Sequence, residues 1–379
     1  MRPRASAHKQ GIAAARLLAI YRVRADARAI EARAQAIAVE QSVEMPLSAI
    51  DDPYVLSEIV GRVEGIAERE RGFFEVRISL AAATTGFEAG QLINMLFGNS
   101  SIHDDVVLED AVLPATLAAA FPGPNRGLIG LRELAGAERR ALTCSALKPQ
   151  GLPPRELADL ARRLALGGLD FIKDDHGLAD QAYSRFADRV NACAAGVREA
   201  SRETGRLTRY VPSLSGNLDQ LRAQVALARE AGLAMVLVAP MIIGLPQLRA
   251  LAAENPALAF MAHPALAGAS RIAPPLLLGK LFRLFGADAT IFPNHGGRFG
   301  YSRATCAGLA EAARAPWGDI RSCVPVPAGG MTPERVPEML DFYGPDAMLL
   351  IGGGLLAARE RLTEETAAFT RMVEQYAYR

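Results

Sequence analysis

Two hydrophobic rhythms divide the chain. Up to about residue 125, strand-like and helix-like patterns take turns. Residues 14–24 and 72–81 alternate apolar and polar positions (Phe74, Val76, Ile78 and Leu80 in the second), as half-buried strands do. Residues 26–40, rich in Ala, Glu and Arg, and residues 90–97 carry helical spacing. These elements predict a small α+β layer over residues 1–125, closed by a Pro- and Gly-rich stretch at 122–126.

From about residue 140 the rhythm becomes regular. Short apolar runs at 141–147, 169–172, 210–214, 235–239, 258–262, 290–292, 324–327 and 348–351 are separated by amphipathic stretches such as 154–166, 180–203, 218–231 and 333–342. Eight buried strands, each followed by a helix, predict a (β/α)8 barrel over residues 126–379. An open doubly wound sheet normally has a glycine fingerprint after its first strand, and Lys148-Pro149-Gln150 is not one.

Composition narrows the function. Among 379 residues, half are hydrophobic, and 42 Lys plus Arg balance 41 Asp plus Glu. A net charge of +1 offers no electrostatic footprint for nucleic acid or an anionic membrane, so neither is expected as a partner. The longest apolar stretch, 233–246, is broken by Pro240 and Gly244 and is too short to span a bilayer. The basic N-terminus shows no signal-peptide pattern, and the four cysteines share no C-x-x-C spacing. A cytoplasmic protein with reduced thiols is expected.

Catalytic groups of such a barrel gather where its strands end. Lys148 follows the first run and Lys173-Asp174-Asp175-His176 the second; His263 follows the fifth, and Asn294-His295-Gly296-Gly297-Arg298 the sixth. Glycine pairs Gly329-Gly330 and Gly352-Gly353 follow the seventh and eighth. Asp174, Asp175 and His176 could supply oxygen and imidazole ligands to a hard divalent ion. A lysine beside them either pairs with the carboxylates or becomes a ligand itself as a carbamate; a salt-bridged lysine filling the barrel mouth is the alternative. The glycines either admit an anion to their N–H groups or merely close tight turns.

The stretch Gly-Gly-Leu-Asp-Phe-Ile-Lys-Asp-Asp-His, 167–176, resembles the metal-binding signature of the ribulose bisphosphate carboxylase large subunit. Leu147-Lys148-Pro149-Gln150-Gly151-Leu152, Phe97-Gly98-Asn99, Val107-Leu108-Glu109-Asp110, Ala328-Gly329-Gly330 and Ile351-Gly352-Gly353-Gly354 resemble further motifs of that family in the same order. The resemblance implies a ferredoxin-like N-terminal domain, a TIM barrel and an antiparallel homodimer with shared active sites. It further implies Lys148 as the proton-handling lysine, Lys173 as a carbamate and Asp175 as a Mg2+ ligand. His263 matches the strand-five histidine. Asn99 would lie near the metal, and Glu40 where a glutamate reaches the partner's site. Gly329, Gly330, Gly352 and Gly353 would hold a phosphate.

The departures are equally informative. His176 stands where the family has its second metal carboxylate, and Gln150 replaces a lysine. Pro264, Ile291 and Ala328 replace the arginine, histidine and serine of the distal phosphate site, and Met45 replaces a threonine of the first. Arg298, with His295, takes the place of the lid lysine that holds CO2. Three charge-assisted phosphate bonds, each worth about 1.5–3 kcal/mol, are lost together, so a bisphosphate is not the expected substrate. The pattern resembles the non-carboxylating RuBisCO-like proteins (form IV). It implies metal-assisted enolate chemistry, whether isomerisation, enolisation or decarboxylation, on a sugar-derived keto compound with at most one phosphate. A methionine-salvage enolase or isomerase acting on a methylthio-sugar phosphate is the nearest alternative; a Schiff-base aldolase and a non-catalytic dimer are the others.

Overall fold

A computed structural model describes residues 15–378; the basic N-terminus read above lies outside them. The described residues divide into two units, one of 15–121 with 267–277 and one of 122–266 with 278–378.

The first unit runs β1 (Arg16–Arg24), α1 (Ile30–Glu40), β2 (Arg62–Glu70), β3 (Phe73–Ala81), α2 (Ala89–Phe97) and β4 (Val106–Val112). The sheet is antiparallel in the order β2-β3-β1-β4, the ferredoxin-like arrangement. Leu17, Ala19, Tyr21 and Val23 point from β1 to the buried face, as strand alternation requires. β2 was not legible in the sequence. It is an edge strand of sequence RVEGIAERE whose positions are all at least partly exposed, so it carries charge where a hydrophobic rhythm would otherwise show. β4 is extended by a parallel bridge from Leu108 to Ile272.

The second unit holds β5 (Leu142–Leu147), β6 (Phe171–Asp174), β7 (Arg209–Val211), β8 (Met235–Val238), β9 (Ala259–Ala262), β10 (Ala289–Pro293), β11 (Val324–Ala328) and β12 (Met348–Leu350). They pair in parallel in the orders β12-β5-β6-β7 and β8-β9-β10-β11. Leu214 N–H donates to Leu237 O and Leu237 N–H to Pro212 O, both at 2.8 Å, joining β7 to β8. Residues from all eight strands, among them Cys144, Phe171, Leu237, Met261, Ile291 and Val326, form one core cluster, which is the filled interior of a TIM barrel. Helix α3 (Gly127–Ala135) adds Leu131 and Ala135 to it. Helices α4 (Pro154–Leu166), α5 (Phe186–Thr204), α6 (Leu218–Glu230), α7 (Leu245–Glu254), α8 (Arg303–Arg314), α9 (Val336–Tyr343) and α10 (Leu362–Glu374) follow along the chain.

The apolar run at 169–172 stops two residues short of the strand it announces. β6 continues through Lys173 and Asp174, both buried, because each finds a polar partner that the sequence does not display.

Candidate functional site

Strand alternation decides what β6 offers. Phe171 points into the barrel core, so Lys173, two residues on, points the same way. Asp174 must then face outward. Its carboxylate accepts from Arg189 Nε at 3.0 Å, from Tyr210 Oη at 2.8 Å and from the Ser213 N–H at 3.1 Å. Asp174 and Arg189 are both fully buried. Burial pushes the Asp174 carboxyl upward, against the pull of Arg189, Ser213 and Tyr210. Asp174 is thus a structural anchor between β6 and α5, and the expectation that it could bind metal is corrected. Arg189 shares the buried stripe of α5 with Phe186, Val190, Cys193 and Val197. A charge on an apolar face is the signal from which a buried acidic partner could have been inferred.

Asp175 has the opposite fate. Lys148, from the loop after β5, donates to its Oδ1 at 2.5 Å, and His176 Nδ1 lies 3.5 Å from the same oxygen. Burial would raise the Asp175 carboxyl, but bonds from His176 and Lys148 and the charges of Lys173 and Lys148 hold it well below the usual carboxylate range. Lys173 is buried, and its amine donates to the Asp174 backbone carbonyl at 2.8 Å. Burial pulls its pKa down, Lys148 adds to that, and Cys144 and Asp175 oppose it. The His176 and His263 rings stack at 4.0 Å with an interplanar angle of 10°. His263 Nδ1 accepts the Ala265 N–H at 3.1 Å, which leaves Nε2 to carry the proton of the neutral ring. Burial first, then Lys173 and His176, drive the His263 pKa down to about 2. Lys148, Lys173, Asp175, His176 and His263 therefore come together at one rim.

Among the described residues no three His, Cys, Asp or Glu side chains form a metal-holding group. Asp175 and His176 give two donors. A third has to come from Lys173, whose buried amine is biased toward the neutral form that reacts with CO2. The donor set fits a hard cation on that condition.

The β10 loop is built differently. Asn294 is buried; its Oδ1 accepts from Tyr343 Oη at 2.6 Å and its Nδ2 approaches the sulfurs of Met339 (2.8 Å) and Met331 (3.1 Å). His295 is not brought to the lysines. It packs edge-on against Phe342 at 4.7 Å, with Nδ1 3.9 Å from Glu338 and a buried Nε2 that has no hydrogen-bond partner among the described residues. Burial, then Arg303, lower its pKa. Arg298 is exposed, its guanidinium 4.9 Å from the Phe299 ring centroid. A Cβ on Gly297 would lie 2.1 Å from the Gly329 carbonyl oxygen, and one on Gly330 2.9 Å from the Gly297 Cα. The glycines of the sixth and seventh loops therefore allow backbone to meet backbone. Gly352 and Gly353 differ. The nearest atom to a Cβ on Gly352 would be 3.9 Å away, and a Cβ on Gly353 would meet nothing within 4 Å.

In the first unit Asn99 Nδ2 donates to Glu40 Oε1 at 2.8 Å and to Glu44 Oε1 at 2.7 Å. Gln41 is buried and bonds the carbonyls of Asn94 and Met95 while accepting the Ser100 N–H. It thereby pins the turn carrying Asn99 to the end of α1. Glu44 and Gln41 were not singled out in the sequence. Gln41 falls on the buried stripe of α1, four residues after Ile37, and Glu44 lies four residues after Glu40. A polar side chain on that stripe was the signal that could have found Gln41.

Residues 127–289 match the family described as ribulose bisphosphate carboxylase large chain, catalytic domain. The chain is 65% identical over 365 residues to the 5-methylthioribulose-1-phosphate isomerase of Rhodospirillum rubrum, covering 96% of this chain and 98% of that one. It is 35% identical over 317 residues to the 2,3-diketo-5-methylthiopentyl-1-phosphate enolase of Geobacillus thermodenitrificans, covering 78% and 76%. The crystal structure of a Rubisco-like protein from Rhodopseudomonas palustris superposes with a TM-score of 0.90 at 55% identity, over 96% of this chain and 99% of that one. The chain thus belongs to the RuBisCO-like, form IV branch of the ribulose bisphosphate carboxylase large-chain family and is an enzyme of that branch.

Proposed function

We propose that this enzyme isomerises 5-methylthioribulose 1-phosphate, or a close methylthio-pentulose phosphate, through an enediolate, and does not fix CO2. The observation that carries this reading is the 65% identity, nearly end to end, with an enzyme of that name. Lys148, bonded to Asp175, and Lys173, whose charge acts on the same carboxylate, support it. The reaction balances internally: a proton leaves a carbon beside the ketone, its electron pair becomes the enediolate, and a proton returns to a different carbon. Lys148, 38% exposed and bonded to Asp175, is placed to move that proton. Lys173, buried at the strand end with its pKa lowered by burial, is left as the lysine that would carry the carbamate. His263, neutral with its proton on Nε2, offers a hydrogen-bond donor to a substrate hydroxyl without adding positive charge.

Mg2+ belongs to the same reading. Asp175, His176 and a carbamylated Lys173 would hold it, and it would polarise the ketone and stabilise the charge of the enediolate. Gly352 and Gly353 would take the single phosphate. We further read the active site as shared in a homodimer, with Glu40 and Asn99 contributed by the partner subunit. No helix among the described residues is long and apolar enough to cross a membrane.

The test is proton NMR in D2O of the purified protein with 5-methylthioribulose 1-phosphate, Mg2+ and bicarbonate. Isomerised product carrying solvent deuterium is expected. No conversion of this compound, with enolisation of 2,3-diketo-5-methylthiopentyl 1-phosphate instead, would move the assignment to the enolase activity of the 35% identical relative.

A further inference from the structure

Two residues beyond the core layer, the strands present the next inward positions, and these divide by chemistry. Phe171, Val211 and Met261 are core residues of β6, β7 and β9, so Lys173, Ser213 and His263 follow them at the mouth. Ile291 and Val326 are core residues of β10 and β11, so Pro293 and Ala328 follow them. Pro293 and Ala328 are register partners, side by side in the sheet. The polar groups of this layer thus lie on β6, β7 and β9, interleaved with Ala146 and Ala239, whereas the neighbouring β10 and β11 present only the apolar Pro293 and Ala328.

Above the apolar side sits an aromatic ring that the catalytic reading does not use. Phe299, in the loop after β10, is 56% exposed, a costly state for a large apolar side chain. It is nonetheless placed. A Cβ on Gly329 would meet its ring carbons at 3.1 Å, so the ring lies against the backbone next to Ala328, close enough that a side chain at 329 would have to push it aside. Arg298 stands 4.9 Å from the ring centroid.

We propose that Phe299 is a specificity-determining residue: its ring, with Pro293 and Ala328, receives the thioether end of the substrate. This rests on the substrate read above. A compound with an enolisable ketone at one place and a methylthio group at its end has to set the ketone against Lys148, Lys173 and His263. Its apolar end then needs the apolar positions of β10 and β11. An aromatic ring suits divalent sulfur, which gains from contact with a ring edge. Docking the thioether also covers apolar surface that the free enzyme leaves wet.

The experiment compares kcat/KM for 5-methylthioribulose 1-phosphate with that for 5-deoxyribulose 1-phosphate, which lacks the methylthio group. The ratio is measured in the full-length wild-type enzyme, in Phe299→Ala, in Phe299→Leu and in Ala328→Ser. Losing one apolar wall of a pocket changes discrimination by about tenfold, so the ratio should fall about tenfold in Phe299→Ala, with most of it retained in Phe299→Leu. Ala328→Ser should lower it in the same direction by placing a hydroxyl in the apolar floor. A ratio unchanged in both Phe299→Ala and Ala328→Ser overturns the proposal. So does an equal loss on both substrates, which would mean that the ring only orders the loop. A wild-type enzyme that turns over neither compound removes the substrate assignment itself, and the proposal with it.

Discussion

The ends of β6 and β10 are built on opposite principles. At β6, charged side chains are buried and each is held by a named partner: Asp174 by Arg189 and Tyr210, Asp175 by Lys148, Lys173 by a backbone carbonyl. At β10 the backbone itself makes the close contacts, glycine against glycine, and Arg298 lies exposed. Buried charge pairs dominate the first region; in the second, beyond Asn294 and its bond from Tyr343, close backbone contacts dominate. Reactivity should therefore respond most to charge changes around β6, and recognition to volume changes around β10.

The largest effect is expected at Lys173. Lys173→Ala removes the inward amine and, with it, any carbamate. Turnover should drop by about 10²–10⁴-fold or more, the range for losing a proton-handling group or its electrostatic support. The check is steady-state kinetics beside a circular dichroism melt showing that the barrel still folds. A variant with wild-type turnover would break the charge-fixed account of β6.

Neighbouring aspartates give the cleanest internal contrast. Asp174→Ala leaves Arg189 buried without its carboxylate and should cost about 3–5 kcal/mol of stability. Asp175→Asn should abolish most activity with a far smaller change in stability, because Lys148 at the rim can turn to water. Urea denaturation of both variants tests the pair; equal destabilisation would erase the distinction between anchor and site.

His263 sharpens the contrast through pH. Its folded pKa, about 2, lies below the unfolded value near 6.5. Between those values the unfolded chain binds the extra proton, so the stability contributed by neutral His263 is present above pH 6.5 and is lost as pH falls. The slope is at most about 1.4 kcal/mol per pH unit. His263→Gln should flatten the stability profile between pH 4 and 6 by up to one proton. An unchanged profile would show that the ring titrates normally.

The sequence made the barrel legible because eight apolar runs have no other economical use, and its motifs marked the strand ends where Lys148, Lys173, Asp175, His176 and His263 meet. It could not say which way consecutive polar residues face. Asp174 and Asp175 look equivalent in sequence; only the phase of β6, set by Phe171 in the core, separates them. His295 was read as a mouth residue because it follows a strand, yet the loop carries it to Phe342 on α9. β2 escaped because an exposed edge strand has little hydrophobic rhythm.

Glycines supply the smallest effects. A methyl group at position 297 would collide with the Gly329 carbonyl, so Gly297→Ala has to displace one loop and should impair binding. Position 353 is the counterexample. It begins the short helix Gly353–Leu356, and a Cβ there would meet nothing within 4 Å. Packing within the chain therefore does not require glycine at 353. Gly353→Ala should leave stability unchanged or raise it by up to about 1 kcal/mol, since alanine favours helix over glycine. If the phosphate approaches this backbone closely, the same methyl group should raise KM several-fold for the phosphorylated substrate while kcat changes little. Melting temperature and KM, measured on one preparation, separate the outcomes. A more stable variant with a higher KM places the anion at this turn. A variant with unchanged KM shows that the turn is open space that no ligand uses, and the phosphate then belongs elsewhere on the rim.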